Sequence, residues 1–234
     1  KTNLGANATL AVSMAAKKLS AKIKNIPLYK TFLVKNNYTT QVVEIDAESV
    51  FYLRLNYPEL NILESDFLQL NLQEEYPFNF SLIGNFPYNI SSQILFKVFE
   101  NRDQIPEVIG MFQKEVAERV VCKKGKKRGI LSVFLQAFYD IEYCFTVNEN
   151  VFTPPPKVKS GVIKLVRNSR KEFPCDENKF KQVVKAGFNQ KRKTLRNALK
   201  PFTLGNESEL QDLLNLRAEQ LSVDDFIKLT NHVR

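Results

Sequence analysis

Asn85-Phe86-Pro87-Tyr88 concentrates more chemistry in four residues than any other stretch of this chain. A rigid Asn carbonyl beside a backbone carbonyl can accept two hydrogen bonds from one flat exocyclic amine. Tyr88, with Phe86 nearby, offers a ring on which a nucleobase can stack. Pro87 fixes its own φ and pushes Phe86 toward an extended backbone, so these groups are held stiffly. The same four residues would also serve as a proline turn with two core aromatics, and the stretch alone does not separate the two.

The elements around the motif must position it. Phe80, Leu82 and Ile83 lead in as a buried parallel strand would. Ser91-Ser92 offers a helix N-cap, and Ile90, Ile94, Leu95, Val98 and Phe99 recur at helical spacing. The motif is thereby expected between the carboxyl end of a strand and a helix, the edge at which open α/β sheets bind ligands. Val42-Val43-Glu44-Ile45-Asp46 reads as another short strand ending in acids, with a helix over 47–57 behind it. A carboxylate at such an end can accept two hydrogen bonds from the hydroxyls of a ribose; Glu44 would serve equally as a solvated charge. Asn61 to Leu68 repeats the design, and there Asp66 can accept from an adenine amino group while the Phe67 N–H reaches a ring nitrogen. Glu44, Asp66 and Asn85, about 20 residues apart, stand in the order expected of a site for an adenosyl cofactor.

Downstream, residues 107–112 read as a strand that runs into a helix to 122, on which Glu115 and Arg119 are spaced to pair. Lys123 to Gly129 is a basic loop, suited to solvent or to RNA phosphates; 129–139 reads as a helix and 141–147 as a strand. Pro154-Pro155-Pro156 lies in a stiff extended segment that either connects or holds Phe152 at the edge of a pocket, with a last strand at 161–166. A polar linker at 168–172 precedes four expected helices, 177–187, 190–200, 207–215 and 222–233. Lys191, Arg192, Lys193 and Arg196 make a basic helix start facing outward, suited to electrostatic phosphate contacts. A helix is also expected at 11–23.

Composition narrows the class. The chain has 234 residues, 44% hydrophobic, and a formal net charge of +9. Such a basic balance points to nucleic acid or an acidic surface. No apolar run reaches membrane length, and no signal peptide is visible. Cys122, Cys144 and Cys175 are odd in number and scattered, which fits a reducing cytosol rather than disulfides. His232 is the only histidine, so no metal cluster or His-based triad is expected.

With these residues in view, the chain resembles the KsgA-type ribosomal RNA adenine dimethyltransferases, relatives of the Erm methyltransferases. The carriers are VVEID (42–46), ESDFL (64–68), IGNFPYNISSQILFKV (83–98), MFQKEVAERV (111–120), GILSVFLQAFY (129–139), VFTPPPKVKSGVI (151–163) and FNQKRKTLRNALK (188–200). Asn85-Phe86-Pro87-Tyr88 is then the family's form of the [DNS]-P-P-[YF] motif of amino-methyltransferases. The resemblance implies a Rossmann-like class I methyltransferase α/β sheet with helices on both faces, at 1–168, and a small all-helical RNA-binding domain at 175–234. It implies S-adenosylmethionine as cofactor and dimethylation of two adjacent adenosines of small-subunit rRNA within a pre-assembled ribosomal particle, by a cytoplasmic monomer. It places Glu44 on the ribose hydroxyls, Asp66 and Phe67 on the adenine, and Asn85 between cofactor and target amine. Tyr88, with Phe86, would stack the target adenine.

One departure stands out. The family's E-x-G-x-G-x-L-T loop should precede VVEID, yet no glycine lies between Gly5 and Gly84. Ile26 to Gln41 provide 16 residues before Val42, whereas strand, glycine turn, helix and strand take roughly 30. Residues 26–31 look like the lead-in to that strand and 32–37 like the back of its helix, so a segment is missing near 31/32. The family's L-G-Q-[NH]-F-L opening is altered as well, to Leu4-Gly5-Ala6-Asn7-Ala8-Thr9. Two alternatives follow: an Erm-like enzyme of large-subunit rRNA, and a non-catalytic rRNA-binding assembly factor.

Overall fold

The computed structural model describes residues 40–170 and 172–234. The helix expected at 11–23, Asn7 and the shortened unit around 31/32 lie outside the described residues. The chain forms two compact units, one holding described residues 40–112 and 147–160, the other 113–146 and 161–234.

In the first unit, β1 (Gln41–Glu44) and β2 (Asn61–Glu64) pair in parallel, with Gln41 opposite Asn61 and Glu44 opposite Glu64. Helix α1 (Ala47–Asn56) makes the crossover that a parallel pair requires. Asp46 starts it: its carboxylate accepts the Ser49 N–H at 2.9 Å and the Ser49 hydroxyl at 2.6 Å. These bonds hold the Asp46 carboxyl below its ordinary range. After the short helix α2 (Leu72–Glu75), β3 (Ser81–Asn85) and β4 (Glu107–Gln113) form a second parallel pair, with Ser81 opposite Glu107 and Asn85 opposite Met111. Helix α3 (Ser91–Glu100) connects them, and its Ile94, Leu95, Val98 and Phe99 are buried, as the helical spacing predicts.

β3 differs from expectation. Leu82 is half-buried and Ile83 is 56% exposed. Strand side chains alternate between faces, and on Ile83's face the described residues supply no covering layer. The expected N-cap also differs. Ile90 takes the cap position without a side-chain bond, while Ser91 Oγ donates backwards to the Pro87 carbonyl at 3.1 Å.

The second unit begins with α4 (Lys114–Val121), where Arg119 and Glu115 pair at 2.8 Å. Helix α5 (Ile130–Phe138) runs directly into β5 (Tyr139–Val147), which lies beside β6 (Ser160–Arg167). Helices α6 (Glu177–Asn189), α7 (Leu195–Ala198), α8 (Gln211–Leu214) and α9 (Val223–Asn231) follow. Phe173 stacks on Phe138 at 4.9 Å and meets Phe180 edge-on at 4.8 Å, so aromatic rings join α5 to α6. Ser222 and Asp225 cap α9 reciprocally: Ser222 Oγ accepts the Asp225 N–H, and Asp225 accepts the Ser222 N–H.

The helix expected at 190–200 is mostly a turn. α6 ends at Asn189, the Lys193 N–H donates to the Gln190 carbonyl at 2.8 Å, and only Leu195–Ala198 is helical. Thr194 stands extended between the two helices (φ −68, ψ 157), which breaks the helical run. Among the described residues, no helix is long and apolar enough to cross a membrane.

Candidate functional site

The Asn85–Tyr88 turn sits at the carboxyl end of β3 and is anchored from below by Phe86. Gly84 and Gly110 face each other across the β3–β4 pair. A Cβ on Gly84 would come within 2.7 Å of the Phe86 ring, and one on Gly110 within 2.8 Å of it and 2.5 Å of the Phe112 ring. Two facing glycines therefore open a seat in which Phe86 and Phe112 stack, 5.2 Å apart at 29°. Phe86 is buried there. This corrects the expectation that its ring helps to stack a substrate base: the side chain is a packing anchor for the turn. A Gly110→Ala substitution should unseat both rings. We expect a loss of about 1–3 kcal/mol from overpacking, read as a lower Tm in thermal unfolding; an unchanged Tm would show that the seat has slack.

Above the anchor, the Phe86 N–H donates to the Met111 carbonyl at 3.2 Å, and the Ile90 N–H to the Pro87 carbonyl at 3.2 Å. Asn85 is half-buried as the last residue of β3, Pro87 is exposed, and Tyr88 is half-buried with its hydroxyl 2.6 Å from Ser160 Oγ. Phe152 is half-buried at the end of a single 3-10 turn, in the same unit.

Glu44 and Asp66 lie at the carboxyl ends of neighbouring strands, and each is fixed by its own loop. Glu44 Oε1 accepts the N–H groups of Ile45 and Asp46, both at 2.9 Å. Its carbonyl accepts the Ser65 N–H at 3.0 Å, extending the parallel ladder to the start of the Asp66 loop. Asp66 Oδ1 accepts the Leu68 N–H at 2.8 Å. One oxygen of each carboxylate is thus tied down, and the other accepts no hydrogen bond from the described residues. Two oriented acceptors on adjacent strand ends suit a ribose diol and an exocyclic amine, so the residues present fit the nucleoside part of an adenosyl cofactor.

Sequence reading missed the residue that holds this loop. Lys97, near the end of α3, donates to the carbonyls of Leu68 at 2.9 Å and Leu70 at 2.5 Å, and its ammonium lies 5.5 Å from the Phe67 ring centroid. Burial lowers its pKa from the ordinary lysine value, against the opposing pull of Asp66 and Glu100. The one available signal was a lysine one position before the buried Val98 of an apolar helix face. A Lys97→Met variant keeps the stem and loses both donors. Amide hydrogen exchange across residues 66–70 should then speed up about tenfold, with β4 amides unchanged. Equal exchange in both proteins would show that the loop stands without it.

The basic residues lie in the second unit, and the structure sorts them. Arg128 is buried, and one guanidinium nitrogen donates to the carbonyls of Cys122 and Lys123 and to Gln136 Oε1. Burial brings its pKa down to about 10. Gly125 turns the loop with φ +105, a conformation that favours glycine, and its N–H donates to the Glu219 carbonyl at 2.8 Å. Lys191 then clasps this loop: Nζ donates to the carbonyls of Lys126 at 2.6 Å and Arg128 at 3.2 Å and lies 3.6 Å from Glu219. Lys191 thus clasps the loop, with its side chain still 42% exposed. Arg196 is exposed and lies 3.5 Å from Glu207. Arg192 and Lys193 are exposed, as are Lys123, Lys124 and Lys126 on the clasped loop.

Strand-end acceptors and a rigid Asn-Phe-Pro-Tyr turn, carried by one compact unit of an α/β fold, fit the methyltransferase class. The fold is shared with a dimethyladenosine transferase from Plasmodium falciparum, with a TM-score of 0.67 at 24% identity over 83% of this chain and 84% of that one. It is shared also with the 23S rRNA methyltransferase ErmE, with a TM-score of 0.65 at 20% identity over 83% and 82%. The model of the ribosomal RNA adenine dimethylase family matches residues 30–234. A ribosomal RNA small subunit methyltransferase A from Cytophaga hutchinsonii is 61% identical over 204 residues, covering 86% of this chain and 79% of that protein. The chain belongs to the ribosomal RNA adenine dimethylase family.

Proposed function

We propose that this chain transfers methyl groups from S-adenosylmethionine to the N6 amines of two adjacent adenosines of small-subunit rRNA during ribosome assembly. The observation that carries this reading is the anchored Asn85–Tyr88 turn, in one compact unit with the oriented Glu44 and Asp66 carboxylates. The identity to small-subunit relatives supports the choice of substrate.

S-adenosylmethionine, when bound, supplies an electrophilic methyl group. Glu44 would hold its ribose hydroxyls, and Asp66 with Phe67 its adenine. The target adenine must leave its stack to reach the turn. Tyr88 receives its face, and Phe152 flanks it. Asn85 and the backbone carbonyl of Phe86 accept the two amine hydrogens. Those bonds favour a pyramidal nitrogen, whose lone pair is otherwise delocalised into the ring. Pro87 keeps both acceptors in place, so the rate rests on positioning rather than on a general base. Arg192, Lys193 and Arg196 in the helical domain at 175–234, with the clasped basic loop, hold the RNA backbone. The methyltransferase domain spans 1–168. The partner is a pre-assembled small-subunit particle, met in the cytoplasm by a monomer.

A second reading has one observation in its favour. The absence of glycine between Gly5 and Gly84 removes the loop that the family places before VVEID, which fits an RNA-binding assembly factor without activity. Methyl transfer from labelled cofactor to unmethylated small subunits separates the two. Incorporation at two adjacent adenosines supports the enzyme; retention on the particle without label supports the assembly factor. Label entering large subunits alone would point to an Erm-like substrate.

A further inference from the structure

The proposed function uses the Tyr88 ring and leaves its hydroxyl without a role. That hydroxyl lies 2.6 Å from Ser160 Oγ, a bond that joins residues 72 positions apart within the first unit. Ser160 is fully buried and opens β6, four residues after the last proline of the 154–156 run. Its short side chain therefore offers a fixed oxygen.

The turn is held at three successive residues by three different devices. The Phe86 ring occupies the glycine seat, Ser91 Oγ donates to the Pro87 carbonyl at 3.1 Å, and Ser160 meets the Tyr88 hydroxyl. The first two fix the backbone. Only the third fixes the orientation of the ring itself, which would otherwise turn about χ1 and χ2. A ring ordered before the base arrives loses no rotamer freedom on binding.

We propose that Ser160 is the positioning residue for Tyr88. It directs the hydroxyl toward the protein and leaves the ring to receive a purine by its face alone. Base-edge recognition then belongs to Asn85 and the neighbouring backbone, not to the phenol. The inference rests on the methyltransferase reading of the turn.

The test uses the full chain with unmethylated small subunits, and compares the parent with Tyr88→Phe, Ser160→Ala, Ser160→Thr and the Tyr88→Phe/Ser160→Ala double variant. Each single loss of the bond should lower kcat about five- to tenfold, with KM for the particle within about twofold. The double variant should be no slower than the slower single, because both remove one bond. Ser160→Thr keeps a hydroxyl and should stay within about threefold of the parent. Multiplying losses in the double variant, or a Tyr88→Phe protein as fast as the parent, would overturn the proposal. Tyr88→Phe also carries the test should Ser160→Ala fail to fold. A second readout is independent of methyl transfer. Quenching of 2-aminopurine placed at the target position of the RNA should weaken alike in Tyr88→Phe and Ser160→Ala. A parent that quenches but transfers no methyl group overturns only the enzymatic reading; quenching unchanged in both variants overturns the role of Ser160.

Discussion

An Asn85→Ala protein is expected to bind its RNA within about twofold of the parent and to transfer methyl groups at least ~10³-fold more slowly. The side chain stands at the last position of β3, where the backbone is fixed on one side by the parallel ladder to Met111 and on the other by the Phe86 anchor. Removing it takes away one of the two acceptors proposed for the target amine. Losing a preorganised group aimed at the reacting atom typically costs 10²–10³ in rate, and loss of alignment adds to that. Asn85→Asp should retain a measurable rate, since a carboxylate oxygen still accepts from the amine. Single-turnover methyl transfer reads both variants. An alanine protein that turns over at the parental rate would remove Asn85 from the mechanism.

The second large effect concerns affinity. Arg192→Glu together with Lys193→Glu should weaken RNA binding about 100-fold near 0.15 M salt, with no change in Tm. Both residues are exposed in the turn after α6. Two lost phosphate contacts should also reduce the slope of log affinity against log salt by about 1.4 to 1.8. Lys191→Met is the informative contrast. That residue holds the loop at 126–128 and pairs with Glu219, so its loss should lower Tm first and affinity second. Filter binding across a salt series distinguishes the two patterns. A double reversal that leaves the slope unaltered would place the RNA elsewhere on the surface.

The parts of the site that could be read from the sequence are those specified locally. Glu44, Asp66 and Asn85 each follow a short apolar run, and the structure finds each at the carboxyl end of a strand or just beyond it. The parallel pairing, α1, α3 and α6 were equally legible, because apolar spacing and caps lie within a dozen residues of one another. What escaped depends on contacts across long sequence distances. Lys97 reaches carbonyls 29 and 27 residues earlier, and Lys191 reaches carbonyls 65 and 63 residues earlier. Phe86 looked like a free aromatic because its seat is half made by Gly110, on another strand. The run at 190–200 has helix-forming residues, but the Lys191 clasp and the extended Thr194 fold its first half into a turn.

The connection from Ser91 to Lys97 within α3 works as a ruler. Ser91 grips the Asn85–Tyr88 turn, and Lys97, six residues and ~9 Å further along, grips the loop that carries Asp66 and Phe67. A single residue inserted between them would swing Lys97 through about 100° and release the loop, however conservative its chemistry. Substitutions on the exposed side of this span should therefore be tolerated where any change of its length is not, and drift in sequence can proceed here only at constant register.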